Sequence, residues 1–265
     1  MARLTLERLT MRYRTRRGEV ITALEEVSFE VKDQEFAVLV GTSGCGKSTI
    51  LRLVAGLVAP SGGRVLLDGR PVTEPGADRG MVFQSYTLFP WLTVKRNVEF
   101  GPSLRGLAAG ERESLAHRYI GQVGLRGFEH VYPRELSGGM MQRVAIARAL
   151  ANDQAVLLMD EPFGALDAQT RTLMGELLLG VWEDAAKTVL FVTHDIDEAL
   201  FLADRVLVMT ARPGRIREEI PVPLPRPRTV DHLTSEAFVT LKRRVMQLIR
   251  EEALRTLEAP APEGR

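Results

Sequence analysis

The chain has 265 residues, 45% of them hydrophobic, enough to bury a substantial core as one large domain or as a domain carrying a smaller subdomain. Its 35 basic and 34 acidic residues nearly cancel, so the basic excess of a nucleic-acid binder is missing and no nucleic-acid partner is expected. Cys45, the single cysteine, excludes an internal disulfide; with no apolar leader and no run near the roughly 20 apolar residues of a bilayer span, the chain reads as cytosolic, and any membrane role needs a partner chain.

In chain order, Leu4, Leu6, Leu9, Met11 and Tyr13, and then Val27, Phe29 and Val31, suggest period-two strands and an antiparallel β-layer. Phe36 to Val40 is continuously apolar, as in a strand buried on both faces, and leads into a glycine-rich turn and a helical pattern from Lys47 to Leu57. The turn, Gly41-Thr42-Ser43-Gly44-Cys45-Gly46-Lys47-Ser48-Thr49, fits the phosphate-loop pattern G-x-x-x-x-G-K-[ST] in the strand-to-helix context that gives it meaning. Its glycines allow successive N–H groups to wrap a polyphosphate at a helix N-terminus. Lys47 is then placed to meet the β- and γ-phosphates, Ser48 to ligate Mg²⁺, and Thr49 to hold the inner phosphates.

From about Thr93 to Ala151 strand character disappears, and the sequence reads as a helical subdomain inserted in the core, broken at Gly101-Pro102, Gly110, Gly124, Gly127 and Pro133. Buried-strand runs recur at Val156 to Met159, Val189 to Val192 and Val206 to Met209, so the fold class expected is α/β with a mainly parallel core sheet. The first of these runs ends in Asp160-Glu161-Pro162, two carboxylates at the ligand side of a parallel strand. Asp160 is assigned to the Mg²⁺ shell and Glu161 to polarising the attacking water as general base. Beyond Ala211, five prolines spaced among arginines read as an extended linker, able to form neither a helix nor a central strand. A last helix carries Phe238, Leu241, Val245, Leu248 and Ile249 on one face, before a Pro-rich, frayed tail; its pattern suits packing on its own domain or on a dimer mate.

With these elements in place, residues 1 to 210 closely resemble the ATP-binding cassette (ABC) family. Leu136-Ser137-Gly138-Gly139-Met140-Met141-Gln142-Arg143 is similar to the family's signature motif, and physically Ser137 with Gly138 and Gly139 makes a second anion-binding helix N-terminus. The resemblance implies that this motif binds the γ-phosphate held by the opposite subunit of a head-to-tail homodimer, formed in the ATP-bound state. Gln84 resembles the Q-loop glutamine that senses Mg²⁺ and the attacking water, and His194 the switch histidine contacting the γ-phosphate. Ala165-Leu166-Asp167 resembles the D-loop that communicates across the dimer, and Tyr13 stands where the family stacks an aromatic ring on adenine. Cys45 fills a variable loop position and reads as a spacer. The resemblance thus divides the chain into an ABC ATPase domain over residues 1–229, with the helical subdomain at about 93–151, and a C-terminal helix and tail over 230–265.

Tyr86-Thr-Leu-Phe-Pro-Trp91-Leu92 is apolar and aromatic for a loop after a catalytic glutamine. The family places here the groove that receives a coupling helix of the membrane subunit; the alternative is packing within the helical subdomain. Arg12, Arg14, Arg16 and Arg17 read as a solvated hairpin face rather than a headgroup site. A free-standing cassette without spans resembles bacterial importers, and Phe89-Pro-Trp-Leu-Thr-Val, Asn97-Val-Glu-Phe-Gly-Pro and Leu224-Pro-Arg-Pro-Arg are most like the nitrate, sulfonate and taurine branch. That resemblance implies ATP and Mg²⁺, an integral membrane permease, an extracytoplasmic solute-binding protein acting indirectly, and a peripheral place on the cytoplasmic face of the inner membrane. An exporter cassette and a soluble ABC protein acting on ribosomes or DNA are the rival expectations.

Overall fold

The computed structural model describes residues 2–15, 18–85, 87–164, 166–185 and 187–258. Arg16, Arg17, Tyr86, Ala165 and the tail after 258, all named above, lie outside the described residues. In chain order the elements are β1 (Leu4–Arg14), β2 (Val20–Val31), β3 (Phe36–Val40), α1 (Lys47–Val54), β4 (Gly62–Leu67), β5 (Arg70–Pro71), β6 (Arg79–Val82), α2 (Val94–Leu104) and α3 (Ala109–Gln122). There follow α4 (Gly138–Ala151), β7 (Val156–Asp160), α5 (Ala168–Ala185), β8 (Thr188–Thr193), α6 (Ile196–Leu202), β9 (Arg205–Met209), β10 (Ile216–Pro221) and α7 (Glu236–Glu258). The chain divides into two units, one made of Met1–Gly76 with Thr188–Arg265 and the other of Ala77–Lys187.

In the first unit, β2, β1, β4 and β5 form an antiparallel layer in that order, of which β4 and β5 carry too little alternation to be read from sequence. Strict alternation fails between Leu6 and Leu9, where the register shifts and Arg8 takes a φ of 44°. The bulge restores Leu9 to the buried face beside Leu4 and Leu6. A second set of strands runs β10, β9, β3, β8, with β9, β3 and β8 parallel and β10 antiparallel at the edge. All of Phe36 to Val40 is buried, as its unbroken apolar run requires. Phe36 and Phe191 meet at 5.9 Å between ring centroids, each full burial contributing about 1.5–3 kcal/mol. The helix α1 ends at Val54 rather than at Leu57, because Gly56 turns left-handed at φ 75°.

The proline-rich segment is more than a linker. Ile216–Pro221 is an edge strand, whose outer side needs no ladder donor, so the prolines beyond it do not interrupt the sheet. Val222 and Leu224 are then buried, and the buried Arg228 donates to the carbonyls of Leu200, Phe201 and Ala203. The final helix docks on its own unit: Phe238, Val245 and Leu248 are buried where α7 meets α6 and β9. Glu252, 2% exposed, accepts from the Ala211 amide at 3.0 Å and from Arg217 at 2.8 Å, fastening the far end of α7 to the β9–β10 turn.

In the second unit, β6 and β7 pair in parallel, and α2, α3 and α4 pack against one another. The expected helix break at Gly101-Pro102 does not occur; both residues lie inside α2, within one turn of its end, where the amide that proline lacks costs a single hydrogen bond. Gly110 likewise lies inside α3, while the chain turns at Gly106 and, as expected, at Gly124 and Gly127, all at positive φ. Among the described residues no helix is long and apolar enough to cross a membrane.

Candidate functional site

The first unit carries a glycine-bent loop between β3 and α1. Gly44 and Gly46 adopt φ of 77° and 105°, and a Cβ on Gly46 would lie 2.5 Å from Leu24 Cδ2, so only glycine fits there. Gly46 caps α1 without a side chain, which leaves the first-turn amides of Lys47, Ser48 and Thr49 at the positive end of the helix dipole. Lys47 is 5% exposed, and its ammonium donates to the carbonyls of Gly41 at 2.9 Å and Thr42 at 3.1 Å. The cation is therefore held inside the loop. Thr42 also accepts from the Cys45 amide at 3.3 Å, while Ser43 and Gly44 form the exposed apex. Cys45 is 1% exposed, and burial raises its thiol pKa against the lowering influence of Lys47, which disfavours a reactive thiolate.

One support of this loop was invisible in the sequence. A Cβ on Gly214 would stand 2.0 Å from the Cys45 carbonyl oxygen, so the β9–β10 turn presses its backbone directly on the loop. The Pro213-Gly214 pair signals a turn but not what the turn touches. Tyr13 lies near the end of β1 with 38% of its surface exposed, and His194 follows β8 directly, also exposed. Behind His194, Asp195 caps α6 by accepting from the Glu198 amide at 3.0 Å.

In the second unit, parallel register pairs Val82 with Met159, so the residues that follow β6 and β7 leave the same end of the strand pair. Gln84 and the two acids are thereby brought to one edge. Asp160, the last residue of β7, is 8% exposed, and Glu161 takes a left-handed φ of 44°, a strained conformation for a side chain of this size. The Glu161 carbonyl is bound by the Gly164 amide at 3.1 Å, which closes the turn. Ser137 caps α4, its Oγ accepting from the Met140 amide at 3.3 Å, and Gly138 and Gly139 open the helix. A Cβ on Gly139 would sit 3.4 Å from Leu166 Cδ2. Asp167 accepts from the Thr170 amide at 3.0 Å and its hydroxyl at 2.7 Å, capping α5; those bonds hold its carboxyl pKa below the usual range.

Asn97, read in the sequence only as part of a branch-like pattern, has a structural role that the pattern did not assign. Fully buried, it accepts from the Phe89 amide at 2.9 Å and donates to the carbonyls of Phe89, Leu92 and Thr93 at 3.2, 3.0 and 3.1 Å. A polar residue between Val94 and Val98 on the buried face of α2 was the available signal. Gln142 in α4 is also fully buried, and neither of its amide atoms has a hydrogen-bond partner among the described residues.

Hard oxygen donors suited to a divalent cation are carried by Ser48 in the first unit and by Gln84 and Asp160 in the second. Among the described residues no cluster of three or more His, Cys, Asp or Glu side chains could form an all-protein cage. Oxygen donors of these types suit Mg²⁺, which keeps waters and takes substrate phosphates as ligands.

A family model described as ABC transporter matches residues 24–164. A nitrate import ATP-binding protein of Synechocystis is 54% identical over 210 residues, covering 79% of this chain and 79% of that protein. A taurine import ATP-binding protein of Rhizobium johnstonii is 50% identical over 213 residues, covering 80% and 81%. Among solved structures, the dimeric post-hydrolysis state of an ATP-binding cassette bound to ADP and Pi aligns with a TM-score of 0.74 and 34% identity, covering 84% of this chain and 100% of that one.

Proposed function

The chain belongs to the ABC transporter family as one of its ATP-hydrolysing cassettes, and from that premise we propose that two copies close on ATP to drive an integral membrane importer. The observation that carries this reading is the Gly41–Thr49 loop, bent by glycines at positive φ and leading into α1 at a glycine N-cap. Lys47 and the first-turn amides of α1 hold the phosphates, and exchange of the Gly41 and Thr42 carbonyls for phosphate oxygens gives the Lys47 ammonium stronger, charge-assisted partners. Tyr13 stacks on the adenine. Ser48, Gln84 and Asp160 would be the residues to hold Mg²⁺, which would supply neutralisation of charge on the phosphates.

Hydrolysis then needs an oriented water. Glu161, aimed by its strained turn, accepts the proton of that water, while His194 contacts the γ-phosphate. Ser137, Gly138 and Gly139 of a second copy complete the site from across the dimer, and Asp167 communicates between the two sites. Dimer formation is itself supported by the dimeric state of the solved cassette. After hydrolysis the copies separate, and the cycle passes to the permease through segment 87–92, where Trp91 is 70% exposed beside Phe89 at 5.6 Å.

The relatives named for nitrate and taurine import favour a small anionic solute, delivered by an extracytoplasmic binding protein to a permease. The cassette then rides peripherally on the cytoplasmic face of the inner membrane. Phosphate release by purified protein tests the chemistry. Glu161→Gln retains ATP, turns over roughly 10² to 10⁴ times more slowly, and accumulates as an ATP-bound dimer on size-exclusion chromatography. Undiminished hydrolysis removes Glu161 from the proposed role.

A further inference from the structure

The exposed aromatic segment and the signature helix meet through one side chain. Arg148, in the last turn of α4, donates from one terminal nitrogen to the Thr87 carbonyl at 2.8 Å and from the other to the Thr87 hydroxyl at 3.0 Å. Its guanidinium also lies 5.4 Å from the centroid of the Phe89 ring. Phe89 in turn packs on Phe100 of α2 at 4.5 Å and on Trp91 at 5.6 Å. Thr87 is held at a φ of 46°, which a free threonine in a loop rarely adopts. Burial pushes the Arg148 pKa down, yet a guanidinium stays charged, so both hydrogen bonds to the exposed Thr87 are charge-assisted.

We propose that Arg148 is a positioning residue that fastens the Thr87–Leu92 segment to α4, so that nucleotide engagement at Ser137 is conveyed to Trp91. The inference rests on the reading of Ser137 and of this segment given above. The helix is the lever: Ser137 caps its start, Arg148 stands near its end, and eleven residues at about 1.5 Å each span roughly 16 Å of rigid backbone. The planar fork matters as much as the charge, because two acceptors on one residue fix the rotation as well as the distance of the loop. Asn97 fixes the same segment to α2, so the loop has one anchor on each helix.

Trp91 reports on the device without any permease. The chain has two tryptophans, and Trp182→Phe leaves Trp91 as the single emitter. In that background with Glu161→Gln, Mg-ATP brings about dimerisation, followed by size-exclusion, and changes the acrylamide quenching of Trp91. Arg148→Met is expected to retain ATP binding and dimerisation while the Trp91 response falls about threefold or more, and Arg148→Lys, with one donor point in place of a fork, gives an intermediate response. Thr87→Val, an exposed substitution that keeps the fold even where Arg148→Met does not, removes one acceptor and is expected to weaken the response in the same direction. A full response in Arg148→Met or in Thr87→Val overturns the inference, as does a parent that dimerises with no change at Trp91. A parent that fails to dimerise with ATP overturns the functional reading and the inference together.

Discussion

The Lys47 ammonium bonds to carbonyls of its own loop, and Gly46 carries a conformation and a closeness to Leu24 that no side chain tolerates. These two residues divide the work on the proposed reading: glycine shapes the backbone of the loop, and lysine supplies the charge that phosphate would draw outward. Gly46→Ala brings both a disallowed φ of 105° and a Cβ 2.5 Å from Leu24, of which the strain alone is worth about 1–3 kcal/mol. ATP affinity is therefore expected to fall by roughly 5- to 150-fold, measured by titration with a fluorescent nucleotide. Retained affinity would show that the loop binds phosphate in another conformation. Cys45, by contrast, is a buried neutral filler beneath the loop.

Among elements, α2 and α4 carry the segment that links Gln84 to the exposed aromatic surface. Four hydrogen bonds converge on the buried Asn97, and each reaches a backbone group of the Phe89–Thr93 turn. Asn97→Ala takes the side-chain partner from the Phe89 amide and the Leu92 carbonyl, while the Phe89 and Thr93 carbonyls keep the Leu92 and Asn97 amides; the loss costs roughly 2–3 kcal/mol, readable as a lower midpoint in urea denaturation. Because the turn rather than the nucleotide loop is released, ATP binding is expected to persist. An unchanged midpoint would mean that water replaces the amide at no cost. The helix α7 is an element of a different kind: fastened through Glu252 and through Phe238, Val245 and Leu248, it belongs to the packing of its own unit.

For the molecule as a whole, the near-cancellation of 35 basic against 34 acidic residues leaves recognition to local surfaces. Ser137 is exposed at the mouth of α4, its hydroxyl accepting from the Met140 amide, and on the proposed reading this helix end receives the phosphate held by the twin. Ser137→Arg is expected to leave ATP binding by the monomer intact and to stop both dimerisation and hydrolysis, since a guanidinium then occupies the place of the twin's γ-phosphate. Mixed with a Glu161→Gln copy, it restores at most one competent site. Wild-type phosphate release by Ser137→Arg would dismiss the shared site.

How much was legible depends on sequence distance. The phosphate loop, the acidic end of β7 and the buried strands are contiguous patterns, because glycine dihedrals, a helix N-terminus and two-sided burial are set within a few residues. The short strands β4, β5 and β6 lay below that signal, and the edge strand β10 was masked by its prolines. Arg148 and Thr87 are 61 residues apart, and Glu252 meets the Ala211 amide across 41. By itself the sequence determined the α/β class and the phosphate loop, written in local backbone requirements, and carried the motifs whose resemblance implied the family. Only the tertiary structure decided where α7 docks, which turn braces Cys45, and what ties the aromatic segment to α4, since a polar side chain's partner is selected by burial and reach in the folded chain rather than by its neighbours in sequence.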